Sequence, residues 1–271
     1  MTSSPAISLV TVCRNSAPSL GDTLRSVLAQ TWRDLEYIVV DGASTDGTPE
    51  LLRRFEPRFG GRMRWLSEPD AGIYDAMNKG LSLAAGRVVG FLNADDYYQG
   101  PEVLARIAAA FAAHPEADAV HADLDFIDAR GRVVRSWTGS PYRPGAFQRG
   151  WMPAHPTFYC KASCFARFGA FDPAIGSAAD FELMLRFIEK HRIATRYLPL
   201  RAVFMRLGGS STSSLRAVLR NTRQNRAAFR KNGLPCPWHY ALSRFRSKIS
   251  QIAQVRAARR GERTSLDTEK L

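Results

Sequence analysis

Residues 88–96 read VVGFLNADD, a short apolar run that ends in an acidic cluster. The run is rich in β-branched and aromatic residues, as a parallel strand buried on both faces should be. Asn93, Asp95 and Asp96 follow at its carboxyl end, where adjacent carboxylates repel each other unless a cation or hydrogen-bond donors satisfy them. An isolated Asp-Asp pair is more often a solvated turn before a helix, so its surroundings must decide between the two readings.

A pattern of strand followed by helix extends in both directions from this stretch. We predict strands at 7–13, 36–40, 64–66, 88–92 and 119–127, and helices at 19–30, 49–55, 73–84, 101–113 and 178–191. Such alternation predicts an α/β fold with a mostly parallel sheet flanked by helices. Ligands of these sheets bind at the carboxyl ends of strands, and both Asp41 and Asp95–Asp96 occupy such ends.

Two other segments do not follow this alternation. Residues 130–156 are rich in Gly, Pro, Trp and Arg, and we predict irregular loops there with room for antiparallel edge strands. Residues 203–214 are predicted to end the α/β body in a loop.

Composition is that of a folded protein with a sizeable core. The chain has 271 residues, of which 45% are hydrophobic, enough for one large domain with or without an appendage. Its four cysteines, Cys13, Cys160, Cys164 and Cys236, form no C-x-x-C pair, so neither a disulfide framework nor a zinc site is expected. No signal peptide or membrane-spanning run is recognisable, and we expect a cytoplasmic protein.

Charge is distributed unevenly along the chain. Residues 190–261 contain 17 Lys or Arg and no Asp or Glu, whereas the remainder holds 21 basic and 25 acidic residues. A neutral to acidic body therefore carries a strongly basic C-terminal third. This asymmetry predicts an anionic partner for that third, such as phosphate, lipid headgroups or nucleic acid.

Three segments in sequence order carry a family resemblance: VVDGASTDGT at 39–48, EPDAGIYDAMNKG at 68–80 and FLNADD at 91–96. Together they resemble the inverting family-2 glycosyltransferases with the GT-A nucleotide-sugar (Rossmann-like) fold. HPTFY at 155–159, FGAFDPAIGSAADFELMLR at 168–186 and MRLGGSS at 205–211 resemble in particular the branch that assembles bacterial exopolysaccharide and lipopolysaccharide. The resemblance implies a catalytic domain at 1–214. Charge and helical pattern predict a basic helical extension at 215–261, followed by a disordered tail at 262–271.

The resemblance also implies roles for residues at the donor site. Thr11 would lie in the segment that lines the nucleoside pocket, and Asp41 would accept a hydrogen bond from the base, usually uracil. Asp95 would hold the ribose. Asp96 would bind the Mn²⁺ or Mg²⁺ ion that bridges the diphosphate; such hard cations take oxygen ligands and keep substrate phosphates in their shell.

Asp180 matches the catalytic base of the resembled family. Inversion needs a carboxylate that takes the proton of the acceptor hydroxyl while its oxygen attacks the anomeric carbon. An acid that opens a helix also stabilises the helix N-terminus, so position alone does not identify a base. The sequence departs from the family at Ala179, where an acidic neighbour is common, and at Asn93, where many members have Asp.

Three further residues are candidates for binding the diphosphate or acceptor. Lys79 and Arg206 have the charge to neutralise a diphosphate, and each is equally plausible as a surface charge. His155, in a loop rich in Trp and Pro, is a candidate for contact with the acceptor or the diphosphate, and a structural histidine is nearly as good an interpretation.

The basic third is predicted to form two helices, at 215–231 and 238–260. The second would place Trp238, Leu242, Phe245, Ile249, Ile252 and Val255 on one face, surrounded by Arg and Lys. A basic amphipathic helix of this kind suits an anionic membrane surface. An ordinary helix that packs its apolar stripe on the catalytic domain fits the same pattern, and the sequence leaves both open.

The resulting hypothesis is a metal-dependent transferase of the hexosyltransferase type, peripheral on the inner face of the plasma membrane. It would move one sugar from a nucleotide-diphosphate donor, a UDP sugar foremost, to a lipid-linked saccharide or glycan of the cell surface. A sugar-binding module without catalysis is the first alternative, and a nucleic-acid-binding protein the second. No nucleic-acid-binding motif supports the latter. A dinucleotide oxidoreductase is disfavoured because no G-x-G-x-x-G follows the first strand.

Overall fold

The computed structural model describes residues 6–207 and 215–244, together with residues 251 and 255. The side chains of residues 215–219 are not part of this description. The predicted loop at 208–214, most of the predicted second basic helix and the tail at 262–271 lie outside the described residues. None of the described helices is long and apolar enough to cross a bilayer.

The first part of the chain alternates strands and helices as expected from the sequence. Its elements are β1 (Ile7–Cys13), α1 (Ala17–Leu28), β2 (Leu35–Asp41), α2 (Thr48–Phe55), β3 (Met63–Ser67), α3 (Ile73–Leu83) and β4 (Val88–Phe91). Every residue of β1 and β4 is buried, which is why both strands appear in the sequence as continuous apolar runs rather than alternating ones.

The second part contains shorter and more varied elements. They are β5 (Tyr97–Tyr98), α4 (Val103–Ala113), β6 (Ala119–Ile127), β7 (Val133–Trp137), β8 (Tyr159–Lys161), α5 (Ala162–Phe168), α6 (Ala179–Met184), β9 (Thr195–Arg206) and α7 (Leu215–Lys231). A π-helix, Leu185–Lys190, continues α6, so the helix predicted at 178–191 is present with a change of winding.

Nine strands among the described residues form one sheet in the order β3-β2-β1-β4-β8-β6-β9-β5, with β7 paired to β6. The first four strands are parallel, as predicted. Beyond β4 the sheet is mixed, because β8 runs antiparallel to both β4 and β6 while β6 and β9 are parallel. The α/β fold with flanking helices is confirmed, and its parallel part carries the first three family segments, at 39–48, 68–80 and 91–96.

The prediction of a loop at 203–214 is wrong for residues 203–206, because β9 extends to Arg206. The sequence of β9 does not show the usual pattern of a strand, because it contains Pro199 and several Arg residues. Its pairing with β6 shifts register between His121 and Asp123, where Tyr197 and Arg201 are the successive partners. Pro199 therefore lies in a bulge, where a residue without an N–H is tolerated in a sheet.

Two apolar cores cover the two faces of the sheet. Along β2, Tyr37 and Val39 pack on one face with α1, α2 and α4, whereas Ile38 and Val40 pack on the other. The second core also contains Ala228 and Phe229 of α7. The first helix of the basic third is thus packed on the α/β body through its apolar face.

Gly90, in the middle of β4, provides a test of this packing. A Cβ added there would lie 2.2 Å from a ring carbon of Tyr159, whose side chain is fully buried and hydrogen-bonded to the hydroxyl of Tyr98. We expect Gly90→Ala to lower the free energy of unfolding by about 1–3 kcal/mol, since the ring has nowhere to move. Chemical denaturation measures the change. Gly100→Ala, which has open space around the new methyl group, is the matched control; equal stability of the two variants would contradict the expected clash.

Candidate functional site

A cavity of about 620 Å³ opens at the carboxyl ends of β1 and β4. Its walls are the loop after β1, the first turn of α3, the acidic loop after β4 and the end of β9; they comprise residues 12–16, 18, 19, 70, 72, 73, 76, 93–95 and 205. The volume lies within the range of small-molecule sites. Its position is the one expected for ligands of an α/β sheet.

The acidic loop presents one carboxylate to the cavity and buries the next. Asp95 is partly exposed on the wall, whereas Asp96 is fully buried and accepts a hydrogen bond of 3.1 Å from the side-chain amide of Asn93. In the described part of the chain, neither Oδ1 of Asp96 nor Oδ1 of Asn93 has a hydrogen-bond partner. Burial raises the pKa of Asp96 well above its usual range, and the charge of Asp95 adds to the shift.

Unpaired buried oxygens of this kind fit a divalent cation. An unsatisfied buried carboxylate is costly, and a cation bound between Asp95, Asp96 and a ligand phosphate would remove that cost. The described residues contain no group of three His, Cys, Asp or Glu side chains placed to hold a metal by themselves. The donor set present here therefore fits an ion that shares its coordination with a bound phosphate, as Mg²⁺ commonly does.

Arg206, at the end of β9, lies close to the acidic loop. Its guanidinium pairs with Asp22 of α1 and lies 5.1 Å above the ring centre of Tyr97. Its charge and a backbone hydrogen bond both favour the ionised form of Asp96 and so partly oppose the upward shift of the Asp96 pKa. Arg206 is thus the cation that the fold places beside the predicted metal-binding residue.

Asp41 lies at the end of β2, in register with Cys13 of the cavity wall. It is fully buried, and its carboxylate accepts hydrogen bonds from the backbone N–H of Ser44 at 3.0 Å and from the hydroxyl of Ser67 at 2.6 Å. The hydroxyl of Ser44 donates to it as well. Asp41 therefore fixes the turn that follows β2 next to the cavity.

Thr11 and Lys79 lie away from the cavity wall. Thr11 is fully buried, and its hydroxyl accepts a hydrogen bond of 3.1 Å from Tyr37. Lys79 pairs with Glu68 at 2.9 Å and Asp75 at 3.7 Å, acids of its own segment. The hydrogen bond to Glu68 is the main reason that the pKa of Lys79 is raised. Their predicted donor contacts remain predictions.

Asp180 lies in the first turn of α6, near two aromatic side chains. Its carboxylate accepts the N–H of Phe181 at 2.7 Å. Burial, followed by the nearby charge of Asp180, raises the pKa of the Tyr74 phenol, which donates to the carbonyl of Ser177 at 3.2 Å. Burial lowers the pKa of His155, and Asp180 partly opposes that shift. The fold thus groups Asp180, Tyr74 and His155.

The connection between Asp180 and the cavity runs through α3. Ile73 and Ala76 line the cavity, and Tyr74 between them reaches the segment around Asp180. The ring of Tyr74 lies 5.6 Å from that of Phe171, which in turn lies 5.7 Å from the imidazole of His155. The start of α3 therefore lies between the cavity wall that holds Asp95 and the segment that holds Asp180, and Asp180 itself is not part of the lining of this cavity.

Asn78 binds the backbone of Phe171, in the segment before Asp180, to α3. Its side-chain amide donates to the carbonyl of Phe171 at 2.9 Å and accepts the N–H of Phe171 at 3.0 Å, as a neighbouring strand would. Neither Tyr74 nor Asn78 was predicted from the sequence as a residue of the site. Both belong to the EPDAGIYDAMNKG segment, and their spacing of four residues places them on one face of a helix, which is the signal that could have found them.

A buried ion pair between Arg186 and Glu182 also stabilises the segment around Asp180. Arg186 pairs with Glu182 at 3.0 Å and donates to the carbonyls of Gly169 at 3.0 Å and Ala170 at 2.7 Å. Asn232, just after α7, donates to Glu182 at 3.0 Å. These contacts hold the turn before Asp180, α6 and the end of α7 as one unit.

Comparison with known sequences gives matches over most of this α/β body. A sequence model described as Glycosyl transferase family 2 matches residues 8–172. An uncharacterized glycosyltransferase of Mycobacterium tuberculosis is 35% identical over 189 residues, covering 69% of this chain and 70% of the relative. A PGL/p-HBAD biosynthesis glycosyltransferase of Mycobacterium bovis is 31% identical over 195 residues, covering 72% of this chain and 74% of the relative.

Solved structures with the same fold include two glycosyltransferases with bound donors. The mannosyltransferase PcManGT from Pyrobaculum calidifontis, in complex with GDP-Man and Mn²⁺, aligns with a TM-score of 0.64 and 20% identity over 95% of this chain and 76% of its own. TarS 1–349 of S. aureus, in complex with UDP-GlcNAc, aligns with a TM-score of 0.62 and 16% identity, covering 89% and 79%.

Removing the Asn78 clamp tests the architecture of the site. Asn78→Ala leaves the N–H and the carbonyl of Phe171 without partners, and we expect the free energy of unfolding to fall by about 1–3 kcal/mol. Urea denaturation measures this change. Ser82→Ala, on the exposed side of the same helix, is the control and should be close to neutral. A stability of Asn78→Ala equal to that of the control would show that the clamp is unimportant.

Proposed function

Because the chain belongs to glycosyl transferase family 2, we propose that it transfers one sugar from a nucleotide-diphosphate donor, a UDP sugar foremost, with inversion. It is a glycosyltransferase and has the GT-A fold of its structural neighbours. The donor would lie in the cavity at the ends of β1 and β4, with Asp95 at the ribose and the turn held by Asp41 beside the base.

One observation supports the donor site most directly. The cavity has a partly exposed carboxylate, Asp95, on its wall, and beside it Oδ1 of Asn93 and Oδ1 of Asp96 have no hydrogen-bond partner among the described residues. A divalent cation satisfies such oxygens, and a nucleoside diphosphate supplies phosphate oxygens to complete its shell. The solved neighbours bind the same class of donor, GDP-Man with Mn²⁺ in one case and UDP-GlcNAc in the other.

Asp96 would hold Mn²⁺ or Mg²⁺ in the proposed reaction. When bound there, the cation would supply the positive charge that stabilises the leaving diphosphate. Arg206 would add to this charge from the rim of the site. Thr11 would support the nucleoside pocket from within β1, and Lys79 would act on the diphosphate only by exchanging its present partners Glu68 and Asp75.

The bond exchange follows from the position of Asp180. Its carboxylate would take the proton of an acceptor hydroxyl as that oxygen bonds to the anomeric carbon of the donor sugar. The bond between the anomeric carbon and the diphosphate oxygen breaks on the opposite side, and the nucleoside diphosphate leaves. The buried phenol of Tyr74, which donates to the carbonyl of Ser177, would form part of the wall around the carboxylate, and His155 would contact the acceptor or the diphosphate.

We assign the acceptor to the class of lipid-linked saccharides or glycans of the cell surface, lipopolysaccharide included. The PGL/p-HBAD biosynthesis relative supports a role in glycan assembly. The reaction would take place at the inner face of the plasma membrane, with residues 1–214 as catalytic domain and the basic residues 215–261 as extension. The processive Gln-x-x-Arg-Trp motif is missing from the sequence, which favours addition of a single sugar.

A nucleotide-sugar-binding module without catalysis is the second candidate. Ala179 stands where many family members have an acid, so Asp180 acts without an acidic neighbour in its motif. Turnover separates the two functions, since a binding module would bind a donor and leave it unchanged.

A donor screen tests the proposal. The purified protein is incubated with UDP sugars and GDP-Man plus an acceptor extract, and release of nucleoside diphosphate is measured. We expect release with one donor class, loss of release with EDTA and recovery with Mn²⁺ or Mg²⁺, because the unpaired oxygens at Asp96 need a cation. No release from any donor would sink the enzymatic proposal, and release unaffected by EDTA would remove the metal from it.

Asp180→Asn tests the proposed base. The amide cannot accept the acceptor proton, and we expect kcat to fall by about a hundredfold to ten-thousandfold while donor binding is retained. Steady-state kinetics and calorimetric donor titration measure the two effects. Asp34→Asn, which changes an exposed acid in the loop before β2, is the matched control. A kcat for Asp180→Asn within tenfold of the control would rule out this role.

A further inference from the structure

The helical turn at residues 238–244 exposes its apolar side chains. Trp238 is 86% exposed and Leu242 is 49% exposed, four residues apart and so on one face of the turn. Tyr240 between them is 1% exposed and packs on Phe229 and Phe181. The turn is thus fixed to the body by Tyr240 and presents Trp238 and Leu242 outward.

The predicted apolar stripe of this segment is therefore divided. Trp238 and Leu242 face away from the body, whereas Val255 is buried. Phe245, Ile249 and Ile252 lie outside the described residues. The start of the stripe is the part that remains without an apolar partner, and a large exposed indole is unusual on a surface that contacts only water.

Exposed arginines occur on α7, and one of them contacts the backbone of Trp238. Arg223, Arg226 and Arg230 are exposed on α7, and the guanidinium of Arg226 donates to the carbonyl of Trp238 at 3.2 Å. No acidic residue occurs between positions 190 and 261. The patch is thus an aromatic side chain within a purely basic segment, which suits an anionic surface with an apolar interior.

A small basic cavity adjoins the patch. Its volume is about 260 Å³, and it is lined by Ser140, Pro141, Arg143, Ala146, Arg149 and Trp151. Arg143 has no ion-pair partner in the described part of the chain, and Arg149 donates to the carbonyl of Pro144 at 3.1 Å. An Arg pair beside an indole, without an acid on the wall, is suited to a phosphate group.

The cavity and the exposed turn meet at Gly150. A Cβ added at Gly150 would lie 3.1 Å from the backbone nitrogen of Arg244, and the Arg244 guanidinium donates to the Gly150 carbonyl at 3.4 Å. Gly150 follows Arg149 directly, and Arg244 lies two residues after Leu242. The basic cavity and the turn that carries Trp238 and Leu242 are therefore packed against each other, and together with the exposed arginines of α7 they are here called the docking face.

We infer that the docking face binds an anionic lipid bilayer. Trp238 and Leu242 would enter the headgroup region, the α7 arginines would contact lipid phosphates, and one phosphate would occupy the cavity between Arg143 and Arg149. A nucleic acid would use the same charges but would not need an exposed Leu next to the Trp. The inference rests on the proposed function in one respect, the lipid-linked acceptor that such docking would bring near Asp180.

The link to Asp180 is structural. Ser177, three residues before Asp180, donates to Gln224 of α7 at 2.7 Å, and Lys231 pairs with Asp172 at 2.7 Å. α7, whose arginines belong to the docking face, therefore also contacts the segment that precedes the proposed base.

Vesicle co-sedimentation of the full chain tests the inference. We expect binding to vesicles that contain phosphatidylglycerol, weak binding to pure phosphatidylcholine, and a loss of about tenfold or more in the partition coefficient for Trp238→Ser/Leu242→Ser and for Arg143→Gln/Arg149→Gln. Leu83→Ser and Arg132→Gln, exposed residues elsewhere on the protein, are matched controls that should bind as the wild type does. Thermal melting verifies that each variant is folded.

Several outcomes would overturn the docking face. They are no binding of the wild type to the anionic vesicles, equal binding by the Trp238→Ser/Leu242→Ser variant, or an equal loss in the controls. Binding of duplex DNA as tight as that of the vesicles, and unchanged in the Trp238→Ser/Leu242→Ser variant, would assign the face to nucleic acid instead. Donor turnover without vesicles should be unchanged by all these variants. If the wild type shows no donor turnover, the proposed function is refuted, whereas the conclusion from vesicle binding remains valid.

Discussion

The buried ion pair between Glu182 and Arg186 is the constraint on which the second half of the molecule depends. Moving two charges out of water costs several kcal/mol per ion, and the pair persists because nearly every remaining donor and acceptor is used. Arg186 bonds the carbonyls of the turn at residues 168–170, and Glu182 also accepts from Asn232. Without Arg186, Glu182 would keep only Lys231 at 3.4 Å as a cationic partner, and without Glu182 the buried Arg186 would keep only backbone carbonyls, so the turn, α6 and the end of α7 keep one arrangement.

This arrangement sets the position of Asp180, which lies two residues before Glu182. Asn78 fixes the same segment from α3 through the backbone of Phe171, and α7 fixes it through Ser177. The segment of the proposed base is therefore held by its own ion pair and by contacts from two elements far from it in sequence, α3 and α7. The donor cavity has a different basis, because its walls are the ends of parallel strands and the loops that directly follow them.

Sequence patterns predicted the first half of the fold well, for a physical reason. Strands such as β1 and β4 are buried on both faces and stand out as apolar runs, and the helices between them show an apolar stripe. The second half of the fold was harder to predict from the sequence. β5 and β8 are only two and three residues long, and β9 carries Pro199 in a bulge; such strands exist because distant partners pair with them, not because of a local period.

The residues of the candidate site differ in the same way in how far local sequence predicts them. Asn93, Asp95 and Asp96 could be placed at a strand end from local sequence, whereas the contacts of Tyr74 and Asn78 involve partners about a hundred residues later. Lys79 shows the opposite limit, since its charge suggested a phosphate ligand but its nearest acids, Glu68 and Asp75, lie in its own segment. Charge alone does not indicate whether a side chain is already paired.

The two-residue strand β5 has a consequence for how the protein is made. It follows the acidic loop directly and pairs only with β9, at Phe204 and Val203, within the described sheet. During synthesis the parallel strands β1 to β4 can assemble as soon as they leave the ribosome, because N-terminal units fold first. The far side of the acidic loop has to wait for about a hundred more residues. A nascent chain stalled before β9 would thus carry a formed sheet whose acidic loop is held by Thr23 and Ser26 of α1 but still lacks its strand partner on the far side.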